Sequence, residues 1–168
     1  IKGARQVGKT YAIRQFAKAC YKDIIEINFE RDLEFVDLFE STRNPKDILN
    51  MYYHFAVVGV SQNKEKYGYK IFKRLLEKNK QVYGISPIYK EIEDHPIYPS
   101  LEAVEQPIDV VVFVVNKNYV YDYVDEMVGL GIHYAWMQPG TYDDELLEYM
   151  KNVGVTPILA CVLVETSE

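Results

Sequence analysis

The residues with the clearest chemistry lie at the start of the chain, in a glycine-rich loop that ends in lysine and threonine. Residues 3–10, GARQVGKT, fit the phosphate-binding pattern G-x-x-x-x-G-K-[ST] in full. Gly3 and Gly8 would let backbone N–H groups converge on phosphate oxygens. Lys9 would reach the β- and γ-phosphates, and Thr10 would hold Mg²⁺. The loop, followed by a helix over about residues 10–21, therefore predicts a site for ATP and Mg²⁺.

A second glycine-bearing loop follows the apolar run HFAVVG at residues 54–59. Gly59 ends a predicted strand, and a glycine there lets a phosphate approach the backbone. Tyr67 and Gly68 open the next predicted helix, whose first N–H groups are free donors. Ligands of parallel sheets bind beyond the carboxyl ends of the strands. The sequence therefore directs the search to four strand-end loops, at residues 59–68, 85–89, 113–117 and 137–141.

The residues in these loops indicate which nucleotide the site would bind. The full dinucleotide pattern G-x-G-x-x-G is absent, and residues 84–87, GISP, offer no acid to a ribose 2′-hydroxyl, which disfavours NAD. Five basic residues surround the first loop and helix, and these would suit the diphosphate and 3′-phosphate of coenzyme A: Lys64, Lys66, Lys70, Lys73 and Arg74. An exposed, solvated helix face is the favoured interpretation for Lys73 and Arg74. For Lys64 and Lys66, both interpretations stand.

An alternating pattern of strands and helices must position these loops. Near-continuous apolar runs such as DVVVFVV at residues 109–115 are typical of parallel strands buried on both faces. Strands are predicted at 54–59, 81–85, 109–115, 133–137 and 157–164, and helices at 67–78, 119–130 and 142–152. This pattern predicts an α/β fold, a doubly wound parallel Rossmann-like sheet over residues 51–168. A truncated P-loop NTPase fragment over residues 1–50 precedes it.

Bulk composition excludes several other classes of protein. The 168 residues carry a net charge of -6, which argues against a nucleic-acid partner. No apolar run approaches the ~20 residues of a membrane span, and no signal peptide is visible, so a cytoplasmic protein is expected. The chain opens without a methionine, so its natural start is expected further upstream. The sequence leaves a homodimer open.

Cysteine and histidine residues predict neither a metal site nor a catalytic centre. Cys20 and Cys161 are expected to be reduced and buried, Cys161 inside the last apolar strand. His54, His95 and His133 lie in dissimilar segments and have no carboxylate or thiol partner within sequence reach. The spacing fits no zinc site. We therefore expect a protein without a complete catalytic constellation.

The first 49 residues resemble the opening of a prokaryotic AAA-type ATPase family. The run GARQVGKTYAIRQFAKACYKDIIEINFERD carries the resemblance, including the INFE string of a second strand at residues 27–30. In that family a later strand ends in an acidic pair and an arginine finger comes later still, and neither follows here. The resemblance implies an ATPase-derived loop that does not hydrolyse ATP.

The remainder, residues 52–165, resembles the single-domain CoA-binding proteins, whose fold is related to the nucleotide domain of succinyl-CoA synthetase α. Five strings carry the resemblance in order: AVVGVSQNKEKYGYKIFKRLLEKNKQVYGISP, IYPSLEAV, PIDVVVFVV, GIHYAWMQPG and ACVLVE. The resemblance implies a non-catalytic module that binds CoA or acyl-CoA. The alternatives are an ATP-binding protein acting through Lys9 and Thr10, and an NAD-type Rossmann domain.

The same resemblance implies a set of ligand contacts. Gly59, Val60, Ser61 and Asn63 would line the diphosphate loop, with Lys64, Tyr67 and Gly68 beside it. Ser86 and Pro87 stand where the family usually has Asn-Pro near the adenosine, and Val114, Val115 and Asn116 stand where a Val-Val-Pro-like stretch is common. Gln138 and Gly140 belong to the matching string WMQPG, in which Gln138 would hydrogen-bond the ligand and Trp136 is expected to be core.

Overall fold

The computed structural model describes residues 44–51 and 54–167. The chain divides into two compact units, Ile1–Ser41 and Thr42–Glu168. Gly3, Gly8, Lys9 and Thr10 lie outside the described residues, so the ATP and Mg²⁺ site stays a prediction. The predicted domain boundary at residue 50 also stays a prediction. The helix at Pro45–Met51 belongs to the second unit.

The second unit alternates strands with helices along most of its length. In chain order its elements are α1 (Pro45–Met51), β1 (His54–Val58), α2 (Tyr67–Glu77), β2 (Gln81–Ile85), β3 (Glu91–Ile92), β4 (His95–Tyr98), β5 (Val110–Phe113), α3 (Lys117–Leu130), β6 (Tyr134–Met137), α4 (Asp144–Asn152), β7 (Thr156–Leu159) and α5 (Val162–Glu165). None of the helices in this described part has the length and apolar character needed to cross a bilayer.

The strands form one sheet in the order β3-β4-β2-β1-β5-β6-β7. All neighbouring pairs are parallel except β3 with β4. The strands β2 and β4 lie on one side of β1, and β5, β6 and β7 follow on the other side. The predicted doubly wound Rossmann-like sheet is therefore confirmed, and its topological switch point lies between β1 and β5.

The central strands are buried on both faces, as their apolar runs predict. All four residues of β5 are fully buried. Ala56 and Val58 of β1 pack into the core on one face of the sheet, whereas Phe55 and Val57 pack into the core on the other. Trp136 is fully buried in that second core and donates its indole N–H to the Ala160 carbonyl at 2.8 Å. Its predicted core role is confirmed.

Side-chain caps fix where two of the helices begin. Asn116 accepts a hydrogen bond from the Asn118 N–H at 3.0 Å, so α3 begins two residues earlier than the apolar pattern predicts. Asp143 accepts one from the Leu146 N–H at 3.0 Å and caps α4. In each case the cap holds the residues that follow a strand end in a fixed position at the same edge of the sheet.

The last predicted strand, residues 157–164, is wrong in its second half. The strand β7 ends at Leu159, and the chain then turns into the short helix α5. Cys161 therefore lies in the connection rather than inside a strand, and it is half-buried rather than buried. An apolar run of this length does not reveal where strand gives way to helix.

The segment predicted as a loop rich in proline and tyrosine contains a small hairpin. Strands β3 and β4 are joined by Glu93 and Asp94, which have φ values of 46° and 62°. Positive φ at both central residues is typical of the two-residue turns that suit β-hairpins. Glycine or asparagine usually marks such turns, so the sequence gives little sign of this one.

Candidate functional site

A cavity of about 860 Å³ opens at the carboxyl ends of the strands. It spans the switch point between β1 and β5, and its volume is typical of a site for a small molecule or cofactor. Its walls come from the segments that follow β1, β2, β5, β6 and β7, together with the first turns of α2 and α3.

Most of the predicted ligand contacts line this cavity. They are Gly59, Val60, Ser61, Tyr67, Gly68, Ser86, Pro87, Val114, Val115, Gln138 and Gly140. Asn63, Lys64 and Asn116 do not line it. Asn63 accepts a hydrogen bond from the Glu65 N–H at 2.9 Å, and Asn116 is the α3 cap. The contacts of all these residues with a ligand stay predictions.

The loop after β1 is held by two close backbone approaches. Gly59 has a φ of +95°, and its N–H donates to the Ile85 carbonyl at 3.0 Å. Gly68, in the first turn of α2, lies so close to this loop that a Cβ atom there would be 2.1 Å from the Gly59 carbonyl oxygen. Ser61 accepts a hydrogen bond from the Asn63 N–H at 3.1 Å and shapes the turn between them. The helix start and the glycine loop thus form one wall of the cavity.

The fold itself requires a glycine at position 59, whether or not a ligand is bound. A Cβ atom at this position would be 2.6 Å from Cγ1 of Val115 and 2.8 Å from the carbonyl oxygen of Val114. A valine would therefore clash with the backbone of the neighbouring strand end, in a φ region that branched residues avoid. Gly59→Val, the natural test of a phosphate loop, would disturb the fold even in the absence of ligand.

Gln138 lines the cavity, and its side chain has a buried donor without a partner among the described residues. Its Oε1 accepts a hydrogen bond from the Val162 N–H at 3.2 Å. Because a backbone N–H can only donate, the atom facing it must be oxygen, so the Nε2 position is assigned. The residue is 5% exposed, and its Nε2 has no hydrogen-bond partner within the described part of the chain. Buried donors rarely lack a partner, which makes this residue of the cavity wall a candidate for contact with a ligand acceptor.

The basic residues near the loop are mostly engaged with acidic partners. Lys73 and Lys64 approach Glu93 at 2.8 Å and 3.4 Å, and the Tyr69 hydroxyl donates to the same carboxylate. The hydrogen bond from Lys73, followed by that from Tyr69, lowers the pKa of Glu93 to about 2. Arg74 pairs with Glu77 at 3.7 Å. These contacts favour the surface interpretation of Lys73 and Arg74, while Lys66 lines the cavity.

Glu93→Gln should lower the thermal midpoint at neutral pH, and the loss should depend on pH. The folded pKa of about 2 lies below the ordinary 4.5, so the carboxylate stabilises the fold above pH 4.5. That stabilisation is lost as pH falls towards 2. Melting curves from pH 2 to 7 should show the variant and the parent converging at the acid end.

Glu91→Gln is the matched control for this prediction, because the same change is made at an exposed position of the same hairpin. Its difference from the parent should be small. If Glu91→Gln differs from the parent at neutral pH and converges with it at acid pH as Glu93→Gln does, the effect comes from general acid destabilisation of the hairpin and not from Glu93.

One histidine has a carboxylate partner, contrary to expectation. Nδ1 of His54 lies 3.0 Å from Oδ2 of Asp109, and the His54 N–H donates to the same oxygen at 3.2 Å. The two residues are far apart in sequence and meet only because β1 and β5 pair. The contact lies at the amino ends of these strands, opposite the cavity, so it ties the sheet together and does not contribute to the site.

The cavity also has walls outside the four strand-end loops that the sequence predicted, namely Ile71, Tyr119, Tyr123 and Cys161. Other lining residues lie in the predicted loops but were not predicted individually as contacts: Ile88, Tyr89, Pro139 and Thr141. Tyr119 and Tyr123 are four residues apart on α3 and so lie on one helix face. Tyr67, Ile88 and Tyr119 are 65%, 78% and 63% exposed. The four-residue spacing of Tyr119 and Tyr123 could have been used to predict them as cavity residues. The helix α3 begins just after a strand end, so one of its faces covers that end.

A glycine loop, a helix start and a cavity at the switch point of a parallel sheet define a nucleotide-binding domain of the Rossmann-like class. The model of the CoA-binding domain family matches residues 53–167, and the chain belongs to that family. The CoA-binding domain expected over residues 52–165 is thus confirmed. A model described as an AAA domain also matches residues 1–69.

Known proteins with similar sequences or folds agree with this assignment. The chain is 29% identical over 110 residues to an ADP-forming acetate–CoA ligase of Archaeoglobus fulgidus, a match that covers 60% of the chain and 16% of the ligase. It therefore spans about a sixth of that relative. A conserved hypothetical protein from Pyrococcus furiosus is 35% identical, with a TM-score of 0.65, and the match covers 68% of this chain and 99% of that one.

A larger solved structure contains the same fold as one part. It is the dinucleotide-forming acetyl-coenzyme A synthetase 1 of Ca. Korarchaeum cryptofilum, in complex with phosphate and ADP. The identity is 25% and the TM-score is 0.58, and the match covers 67% of this chain and 27% of the synthetase. The described fold is therefore shared with one part of a larger protein.

Proposed function

We propose that the cavity binds coenzyme A, free or acylated, and that the domain is a binding module without chemistry of its own. The observation that carries the proposal is that one cavity is lined both by the Gly59 loop and by Gln138, a residue whose buried Nε2 has no hydrogen-bond partner within the described residues. One end offers backbone N–H groups suited to a diphosphate, and the other offers a buried donor suited to an amide or thioester carbonyl.

The order of the strands gives the ligand a direction. The adenosine lies at Ser86 and Pro87 after β2, and the diphosphate lies at Gly59 after β1. The pantetheine arm then crosses Val114 and Val115 after β5 and reaches Gln138 after β6. These strand ends are neighbours in the sheet, so each part of the ligand would occupy the next one along.

Reduced CoA should raise the thermal midpoint of the chain, and NAD should not. At about 100 times its dissociation constant, a ligand adds about 2.7 kcal/mol to the free energy of unfolding. For a unit of this size that corresponds to a shift on the order of 10 °C. Dephospho-CoA, which lacks the 3′-phosphate, should bind more weakly if Lys66 contacts that group. A shift with NAD and none with CoA or acetyl-CoA at millimolar concentration would reject the proposal.

Two variants with the same chemical change locate the binding. Gln138→Glu replaces the unpaired Nε2 donor by an acceptor and should weaken CoA about tenfold, the cost of one lost hydrogen bond. Gln62→Glu makes this change on an exposed loop residue that does not line the cavity, and should leave the affinity close to that of the parent. Isothermal titration measures both. Equal losses in the two variants would place the ligand elsewhere.

The second candidate is ATP binding at the N-terminal loop, which the match to an AAA domain supports. Hydrolysis needs a positioned Mg²⁺ and a positioned water, and the sequence after Lys9 and Thr10 supplies no second acidic strand end. The chain should therefore hydrolyse ATP no faster than its Lys9→Ala variant in a phosphate-release assay. A Mg²⁺-dependent turnover abolished by Lys9→Ala would show that the loop is a working ATPase.

A further inference from the structure

Glu93 connects three segments at the β2 end of the cavity. Its carboxylate lies 3.4 Å from Nζ of Lys64, in the loop that begins at Gly59, and 2.8 Å from Nζ of Lys73 on α2. It also accepts a hydrogen bond from the hydroxyl of Tyr69 on α2. Glu93 itself belongs to the turn between β3 and β4. One side chain therefore links the loop after β1, the helix α2 and the hairpin.

The hairpin continues directly from a wall of the cavity. Residues 86–89, the loop after β2, line the cavity, and β3 begins at Glu91. The hairpin is attached to the sheet over a short length, because β4 pairs with β2 through two residue pairs and β3 pairs only with β4. Ile92 is buried in the core that contains Phe72 of α2, so the hairpin keeps an apolar anchor of its own. The side chain of Glu93 adds the polar link between the hairpin and α2.

The backbone at Glu93 indicates that a glutamate side chain is needed there. Its φ of 46° lies in a region that glycine and asparagine adopt more easily than glutamate does. Residues held in such conformations are concentrated at functional sites and ligand clamps, where the surrounding structure determines them. Glycine or asparagine would ease the turn but would remove the carboxylate that gathers Lys64 and Lys73. The side chain, and not the turn, therefore accounts for the residue at this position.

We propose that Glu93 is a positioning residue for coenzyme A, and this rests on the proposed function. By holding the hairpin against α2, its carboxylate keeps residues 86–89 at the distance from the Gly59 loop that the adenosine 5′-phosphate part of the ligand spans. Glu93 does not line the cavity, so it acts through these two loops and not by contact. Without the carboxylate the loops adopt this spacing for a smaller fraction of the time, and the apparent affinity falls with that fraction. The pantetheine arm, at the ends of β5 and β6, is unaffected.

The test is to measure by isothermal titration how Glu93→Gln changes the binding of CoA and of its two halves. The full-length variant should bind CoA and adenosine 3′,5′-bisphosphate about threefold to tenfold more weakly than the parent, the loss expected from a few partly exposed contacts. It should bind 4′-phosphopantetheine as the parent does. The titrations are made well below the thermal midpoint of the variant, where circular dichroism shows it to be folded. Equal losses for the two halves would mean a general loosening of the domain and would overturn the proposal.

Two further variants complete the comparison. Tyr69→Phe keeps both ion pairs of Glu93 and removes one hydroxyl, so it should weaken CoA by a smaller factor, and it tests the same role if Glu93→Gln does not fold. Glu91→Gln, at an exposed position of the same hairpin, should leave all three affinities unchanged. Parent-like CoA binding by Glu93→Gln, or an equal loss in Glu91→Gln, would reject the positioning role alone. If the parent binds neither CoA nor either half, CoA binding itself is rejected.

Discussion

Gly68→Ala should lower the free energy of unfolding by about 3 kcal/mol or more, although it adds only one methyl group to a helix. The new Cβ atom would lie 2.1 Å from the Gly59 carbonyl oxygen and 3.2 Å from the Cα atom of Val60. Both are backbone atoms, so neither can move aside as a flexible side chain does. Extra atoms in a packed region typically cost about 1–3 kcal/mol, and a backbone clash lies at the upper end. The thermal midpoint should fall by about 10 °C.

Gly129→Ala is the matched control, because it makes the same change in a different helix. A Cβ atom at Gly129 would meet nothing within 4 Å, and the residue is exposed near the end of α3. Alanine is better than glycine inside a helix by up to about 1 kcal/mol, so this variant should be more stable than the parent. An unchanged or raised stability of Gly68→Ala, like that expected of Gly129→Ala, would show that the start of α2 does not press on the Gly59 loop.

Ile48→Ala should cost a similar amount, about 3 kcal/mol. Ile48 is fully buried in the core that contains Phe55 and Ile158, and truncation of such a residue to alanine typically costs 2–5 kcal/mol. The reason is the lost burial together with the cavity that remains. Urea denaturation should show a lower midpoint with an unchanged slope, since the same surface is exposed on unfolding.

Lys46→Ala tests the same helix on its exposed side. It should change the stability by less than about 0.5 kcal/mol. A neutral Ile48→Ala would mean that α1 is not part of the second unit. The result bears on any fragment that begins at Met51, because such a fragment lacks both Ile48 and Leu49.

The central part of the fold could be predicted because its sequence patterns have few physical solutions. The apolar runs of β1 and β5 are too continuous for half-exposed strands, and both strands are buried on both faces. The glycine at the end of β1 and the helix that follows could be placed for the same reason. A site at the carboxyl ends of parallel strands then follows from topology, since that is where the loops meet.

The rest depends on contacts between segments that are distant in sequence. Glu93 pairs with Lys64 and Lys73 because the β3–β4 hairpin lies beside α2. Gln138 could be proposed as a ligand contact, but its unpaired Nε2 follows from the Val162 N–H that holds its other end. Cys161 was misplaced because β7 and α5 share one apolar run. Local patterns carry no information on such long-range pairings.

The two outer strands of the second unit are poor templates for the addition of another strand. β3 has only two residues, of which Glu91 is exposed. In β7 the Thr156 N–H bonds to the His133 carbonyl, so by alternation the next residue, Pro157, faces away from β6 and has no N–H to offer. Short edges and edge prolines discourage sheet-to-sheet aggregation. If two copies of this domain associate, they should do so through helix faces or the exposed cavity residues Tyr67 and Tyr119, and not by extending the sheet.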